Sequence, residues 1–212
     1  SRSTRTEIAR LPVGREPHHL IVTPDGKEVL IGSTATNELL TLDIKTGERK
    51  RVVKDIIDPY HLGFSPDGKW FVTAAYRLDH VDIFHADGFR LAGRIFIDGL
   101  PSHIAFDAES KTVFVTLQQS GRLAAFDLET QSLKWNMPVG NTPAGVVTAH
   151  VKRDGRFVEE VRIHNVASYL ALTGYDSSAL RYAGEVVGTV EVAGLADVAG
   201  GPLREAIFHH PG

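Results

Sequence analysis

Short apolar runs separated by tight-turn residues fill most of the first 140 positions, and the alternation recurs every 42 residues. Leu20-Ile21-Val22 leads to Val29-Leu30-Ile31, Leu62-Gly63-Phe64 to Trp70-Phe71-Val72, and Ile104-Ala105-Phe106 to Val113-Phe114-Val115. Between the partners stand Asp25-Gly26-Lys27, Asp67-Gly68-Lys69 and the decayed Glu109-Ser110-Lys111. Asp-Gly favours a tight turn because glycine takes a positive φ at no steric cost, so each pair predicts a hairpin. A third strand is expected over Leu39 to Asp43, Val81 to His85 and Leu123 to Asp127. A fourth, more polar one is expected over Arg49 to Val53, Phe89 to Ile95 and Leu133 to Met137. No helical periodicity competes over residues 10 to 140.

Prolines at 17, 59, 101 and 143 mark the same step. A period of this size, with four strands running from apolar to polar, is that of a propeller blade. The expected fold is therefore all-β. Residues 1–143 supply about three four-stranded blades, and residues 144–212 a degenerate blade or an unrelated β-rich tail. The phase fails after Pro143, because the next Asp-Gly falls at Asp154-Gly155 instead of 151–152. Val146 to Val151 and Phe157 to Asn165 still read as a hairpin. Tyr169 to Thr173 and Glu185 to Val192 read as further strands, and Gly200 to Gly212 as a loose end.

Three blades do not close a ring, since propellers close with roughly four to eight. Open sheet edges and apolar faces invite self-association. Three outcomes stay open: the tail serves as a distorted fourth blade, several chains share a ring, or the chain is a fragment, fusion or artificial sequence. A start at Ser1 instead of Met is in keeping with a processed or truncated N-terminus.

Composition narrows the partners. A formal net charge of -3 gives no electrostatic case for nucleic acid or an anionic membrane. The basic run Arg49, Lys50, Arg51 and Lys54 falls on an outer strand and reads as a solvated rim. No stretch reaches the ~20 apolar residues of a membrane span. The absence of cysteine excludes disulfides, thiolate metal sites and thiol nucleophiles. The remaining partner classes are a small-molecule ligand or a protein.

The repeat carries one chemical signal. Pro17-His18-His19, Pro59-Tyr60-His61 and Pro101-Ser102-His103 place a histidine at the same point of three successive repeats. In a propeller the first strand of each blade lines the central channel, so His19, His61 and His103 are candidates for one funnel. Neutral imidazoles ligate transition metals and supply axial ligands to haem. These three are therefore the candidate metal- or cofactor-binding residues, flanked by His18, Tyr60 and Ser102. The structural alternative is that each imidazole caps its strand and bonds the neighbouring blade's backbone. Gly145 stands where a fourth histidine would fall. His80, His85, His150, His164, His209 and His210 show no ligand spacing and read as surface or turn residues. Asp25, Asp43, Asp67 and Asp127 read as turn-stabilising acids, and Arg77, Asp79, His80 and Asp82 as an exposed loop, with a polar site there as the alternative. No nucleophile elbow, phosphate loop or His-Glu-x-x-His pattern is present.

Residues 11 to 145 resemble the YVTN-type β-propeller repeat family. The carriers are Val13-Gly14-x-x-Pro17, the Pro-Asp-Gly turns, strands such as Val113-Phe114-Val115-Thr116, and the turns Asp43-Ile44-Lys45-Thr46-Gly47 and Asp127-Leu128-Glu129-Thr130. Val139-Gly140-Asn141-Thr142-Pro143 is a further repeat start. The asparagine that ends the family's name motif is replaced by Ser33, Ala75 and Leu117. The resemblance implies a periplasmic or extracellular propeller, usually of about seven blades, in some relatives similar to the haem-binding domain of haem-dependent nitrite reductases. Residues 141 to 170, with Thr142-Pro143-Ala144-Gly145 and Val161-Arg162-Ile163-His164-Asn165, are similar to a short stretch of the proline racemases. Those enzymes use cysteines to exchange the α-proton, and this chain has none. The expected function is a non-catalytic binding or scaffold module, truncated or chimeric within its family. The alternative is a metal- or haem-assisted redox or hydrolytic activity at His19, His61 and His103.

Overall fold

The computed structural model describes residues 6, 7, 9–153, 156–165, 188–192 and 206–209, the last two segments by backbone alone. Every regular element among them is a strand, grouped in four antiparallel four-stranded sheets. Blade one comprises β1 (Pro17–Val22), β2 (Glu28–Ser33), β3 (Glu38–Asp43) and β4 (Arg49–Lys54). Blade two comprises β5 (Pro59–Phe64), β6 (Trp70–Ala75), β7 (His80–His85) and β8 (Arg90–Phe96). Blade three comprises β9 (Pro101–Phe106), β10 (Thr112–Leu117), β11 (Arg122–Asp127) and β12 (Ser132–Pro138). The twelve strands expected over the first three repeats are all present.

The tail forms a fourth sheet of β13 (Pro143–Arg153), β14 (Arg156–Asn165), β15 (Gly188–Val192) and β16 (Ala206–His209). The expected hairpin is there, with longer strands than in the first three blades. Of Glu185 to Val192, the strand begins at Gly188, and Tyr169 to Thr173 lies outside the described residues. The reading of the last residues as a loose end is corrected, because Ala206–His209 pairs with β15. A four-residue strand with one polar end carries too little pattern to be read from sequence.

The blades stack face to face, with β1 packed on β5, β5 on β9 and β9 on β13. Strand alternation gives each middle strand two buried faces. Leu30 and Leu39 of blade one meet Leu62, Phe71 and Phe84 of blade two. The opposite face of blade two, with Val72, Val81 and Ile83, meets Ile104, Val113, Val115 and Phe126 of blade three. Ala105, Phe114, Leu123 and Ala125 then meet Val146, Val161 and Ile163 of blade four. Outer strands are exposed, which accounts for the polar pattern of β4, β8 and β12.

The Asp-Gly turns behave as read. Asp25 Oδ1 accepts from the Lys27 N–H at 3.1 Å and Asp67 Oδ1 from the Lys69 N–H at 3.1 Å. Asp43 and Asp127 each accept two backbone N–H groups, from Lys45 and Thr46 and from Glu129 and Thr130. The decayed third turn is different. Asp107, two positions before Glu109, accepts from the backbone of Lys111 and Thr112. Ser110 takes the glycine's place with φ of 59°. Its hydroxyl accepts a 2.9 Å hydrogen bond from the Asp67 N–H of the preceding blade. The serine thus accepts a left-handed backbone in exchange for a link between blades. Ser110→Ala is expected to lose that bond while keeping the φ, destabilising the fold by about 1 kcal/mol. Ser110→Gly relieves the backbone by about 1 kcal/mol and should come out near neutral. Urea midpoints of the two variants check this, and an unchanged midpoint for Ser110→Ala refutes the inter-blade role.

Candidate histidine pocket

Each Pro-x-His motif sits on a β-bulge. The register of inner strand against second strand slips between Pro17 and Leu20, between Pro59 and His61, opposite Val115 to Leu117 for Pro101, and between Pro143 and Gly145. Proline has no N–H to lose at a strand's first residue, and a bulge re-aims the side chains that follow. The residue before each of these four prolines is left-handed: Glu16, Asp58, Leu100 and Thr142 have φ of 50°, 44°, 59° and 49°. One corner is therefore built four times, and it delivers the histidines to the same side.

The three imidazoles form a row. His19 and His61 stack with ring centroids 3.9 Å apart and planes 18° from parallel. His61 and His103 follow at 4.6 Å and 48°. Stacked rings hold their nitrogen lone pairs side by side, whereas a shared metal needs them to converge. Among the described residues no group of three or more His, Cys, Asp or Glu side chains is arranged to hold a metal ion. His19 Nδ1 accepts a 3.2 Å hydrogen bond from the Leu62 N–H of blade two. That is the inter-blade backbone contact of the structural alternative, and it puts the proton of neutral His19 on Nε2. Ser102 is buried, and its Oγ lies 2.8 Å from His103 Nδ1. Thr116 Oγ1 accepts from the His103 N–H at 3.0 Å. His61 Nδ1 is buried and has no hydrogen-bond partner among the described residues.

A cavity of about 350 Å³ lies against this row, lined by His19, His61, His103, Ile104, Gly145, Val146, Val147 and His164. His164 is the cavity-lining residue the sequence reading missed. It stands on β14 directly opposite Gly145 of β13. A Cβ on Gly145 would meet the His164 Cβ at 3.3 Å. The fourth histidine is thus supplied across the strand pair, and glycine leaves the room for it. The period-42 signal could not show this, because His164 is out of phase with the repeat. The Gly145-His164 pairing of the hairpin was the available clue.

The flanking residues divide. Ser102 belongs to the imidazole row, while His18 and Tyr60 belong to a second cavity with Thr34, Tyr76, Arg77 and Gln118. There His18 and Tyr60 rings lie 4.6 Å apart, and Tyr60 stacks on Tyr76 at 4.5 Å. Arg77 is held by Asp58, with Nε and Nη2 at 3.1 and 2.9 Å from Oδ1. The reading of Arg77, Asp79, His80 and Asp82 as one exposed loop is corrected. Asp79 accepts from the Gly99 and Leu100 N–H groups. His80 and Asp82 are buried, with Arg94 bound to both oxygens of Asp82 at 2.7 Å. Such a bidentate pair needs no signal beyond strand alternation, which a charged residue within an apolar run conceals. Of the other histidines read as surface, His85 stacks on Trp70 at 5.0 Å and His150 is exposed. The side chain of His209 and all of His210 lie outside the described residues.

A match to the YNCE-like beta-propellers runs over residues 1–177. The chain belongs to the YNCE-like β-propeller family. The match passes through the whole racemase-like stretch, and that stretch forms β13 and β14 of the fourth sheet. No curated protein matches the chain. Kuenenia stuttgartiensis hydrazine synthase superposes with a TM-score of 0.58 at 17% identity, covering 77% of this chain and 49% of that one. A putative 6-phosphogluconolactonase from Bacteroides uniformis gives 0.56 at 18%, covering 70% and 50%. The dihydro-heme d1 dehydrogenase NirN, in complex with DHE, gives 0.57 at 15%, covering 97% and 39%. The chain thus spans at most about half the length of these structures. At such identities the likeness is one of fold.

The electrostatics of the row make a direct prediction. Burial pushes all three imidazoles below their ordinary pKa, His103 to about 4 and His61 well below the usual range, with repulsion from the neighbouring rings as the second cause for His61 and His103. A group with a depressed folded pKa is protonated more readily in the unfolded chain. Its stabilising contribution is complete above about pH 6.5 and is lost as pH falls toward 4. For His103 alone the loss amounts to about 3 kcal/mol at the acid end. Unfolding free energy is expected to fall steadily over that window, above the range of the depressed turn carboxylates. His103→Gln should flatten the profile. A flat profile for the unsubstituted protein refutes the burial of these rings.

Proposed function

We propose that this YNCE-like propeller is a non-catalytic binding module whose ligand enters the cavity against His19, His61, His103 and His164. The observation that carries the reading is the buried, unpartnered Nδ1 of His61 at the wall of a mainly apolar cavity. A buried polar atom without a partner costs about 1–3 kcal/mol, and a ligand that satisfies it recovers that cost. The lowered imidazole pKa values keep the row neutral near pH 7. Neutral rings and Ile104, Val146 and Val147 suit a small planar, largely apolar molecule with a hydrogen-bond donor for His61. The stacked geometry argues against one metal shared by the row, and no nucleophile with an adjacent base lines the cavity. No helix of the described residues is long and apolar enough to cross a membrane. A periplasmic or extracellular setting belongs to the same proposal and rests on the family.

N-phenyl-1-naphthylamine, neutral and carrying one N–H, is a fitting probe. Its fluorescence should rise on binding near pH 7.5, with one molecule per chain. His61→Phe keeps an aromatic ring but removes the acceptor, and should weaken binding roughly tenfold. Binding should also weaken as the imidazoles charge below about pH 5. Equal affinity for His61→Phe and the unsubstituted protein would remove His61 from the site. A stoichiometric bound metal, found by elemental analysis after incubation with zinc or copper, would favour the metal alternative instead.

A further inference from the structure

The second cavity, about 330 Å³ in volume, is walled by His18, Thr34, Tyr60, Tyr76, Arg77 and Gln118. The repeat builds it from two sets of equivalent positions. His18 and Tyr60 each follow the proline that opens a blade, and Thr34, Tyr76 and Gln118 each follow its second strand. In the other two blades the residue after the opening proline is Ser102 or Ala144. The fold thus accepts serine or alanine where Tyr60 stands, and threonine or glutamine where Tyr76 stands. Blade two places two stacked tyrosines at positions where the joints between blades do not call for them. Every wall belongs to blades one, two and three, and His18 meets Tyr60 across the first joint, so the cavity is internal to the series.

The polar groups of this cavity are held in place but not used up. The Arg77 backbone N–H donates to Asp58 Oδ2 at 2.7 Å, its Nε and Nη2 donate to Asp58 Oδ1, and Nη2 donates also to the Thr34 carbonyl at 3.2 Å. Nη1 has the looser contact, 3.5 Å from Glu16 Oε2, and keeps an N–H for a ligand. The Tyr76 hydroxyl, the Gln118 amide and the His18 ring make no hydrogen bond among the described residues. Charge narrows what fits. Two carboxylates, Asp58 and Glu16, flank the one guanidinium, so no net positive charge draws a phosphate or a carboxylate. The guanidinium in turn repels an amine. A neutral ligand remains. Aromatic faces attract C–H groups, and an amide, a phenol and an imidazole each both donate and accept hydrogen bonds. A pyranose ring combines an apolar C–H face with hydroxyls that do the same.

We propose that this second cavity binds a neutral sugar, one pyranose ring lying against the Tyr60–Tyr76 pair with its hydroxyls bonded to Tyr76, Gln118 and Arg77. The volume is at the small end of ligand pockets and suits a single ring. The site shares no residue with the histidine cavity, and it stands whether or not that cavity takes a ligand.

Saturation-transfer NMR at pH 7 with the methyl pyranosides of glucose, galactose, mannose and N-acetylglucosamine tests this. At least one should bind with a dissociation constant of about 1 mM or below, with the strongest transfer to its ring C–H protons. Tyr60→Ser and Tyr76→Thr install residues that the fold already carries at equivalent positions, so the urea midpoint should hold. Each should weaken binding by about tenfold. Gln118→Ala removes an amide that holds nothing among the described residues and should weaken binding several-fold. Excess sugar should leave the N-phenyl-1-naphthylamine fluorescence unchanged. Displacement of that probe would put the sugar in the histidine cavity and overturn the assignment. So would the failure of all these glycosides to bind at about 10 mM, where a millimolar site is well occupied. Tighter binding of glucuronate than of the glucoside, or unchanged affinity in all three variants, overturns it too.

Discussion

A four-stranded antiparallel sheet of six-residue strands has two apolar faces and cannot bury either alone. Face-to-face packing of successive blades is the interaction on which the rest of this structure depends. It explains why β6 and β10 are buried from end to end, with residues of both alternations inaccessible. β2, which begins with Glu28 and carries fewer apolar residues, is less buried at its first positions. The polar links across the blades, from Leu62 to His19 and from Asp67 to Ser110, are secondary to that packing and fix its alignment.

The histidine row is a product of the same stacking. Inner strands brought together by their faces place equivalent residues a ring thickness apart. At that spacing His19 stacks on His61 and His103 tilts against His61, so the rings meet in aromatic contact. Burial and mutual repulsion keep them neutral, so the cavity they line is apolar with isolated polar points. The site belongs to no single blade, and its properties depend on how faithfully the joints repeat.

Much of this was legible in the sequence because the determinants are periodic. The prolines, the Asp-Gly turns and the alternating apolar runs located the twelve strands of the first three blades and the three histidines of the row. What stayed hidden lies off the period. His164 reaches the cavity from β14, across Gly145, where a search for repeats sees only a missing histidine. Asp82 and His80 are buried inside a strand whose charges suggested a loop. Ser110 looked like a decayed glycine, yet it bonds to Asp67. The outer strands of blade four were obscured because β15 starts only at Gly188, well beyond the spacing of the earlier blades.

The left-handed residues at 16, 58, 100 and 142 share a backbone conformation and no side-chain type: glutamate, aspartate, leucine and threonine occupy them. The corner is thus specified by its surroundings, the bulge and the proline after it, and not by the residue that bends. A joint that tolerates any occupant is a natural seam. Segments cut at that seam carry a complete corner with them, so whole units can be duplicated, lost or recombined without disturbing the register of the strands on either side. The architecture is in this sense modular in its geometry, one backbone corner serving each of the four described sheets.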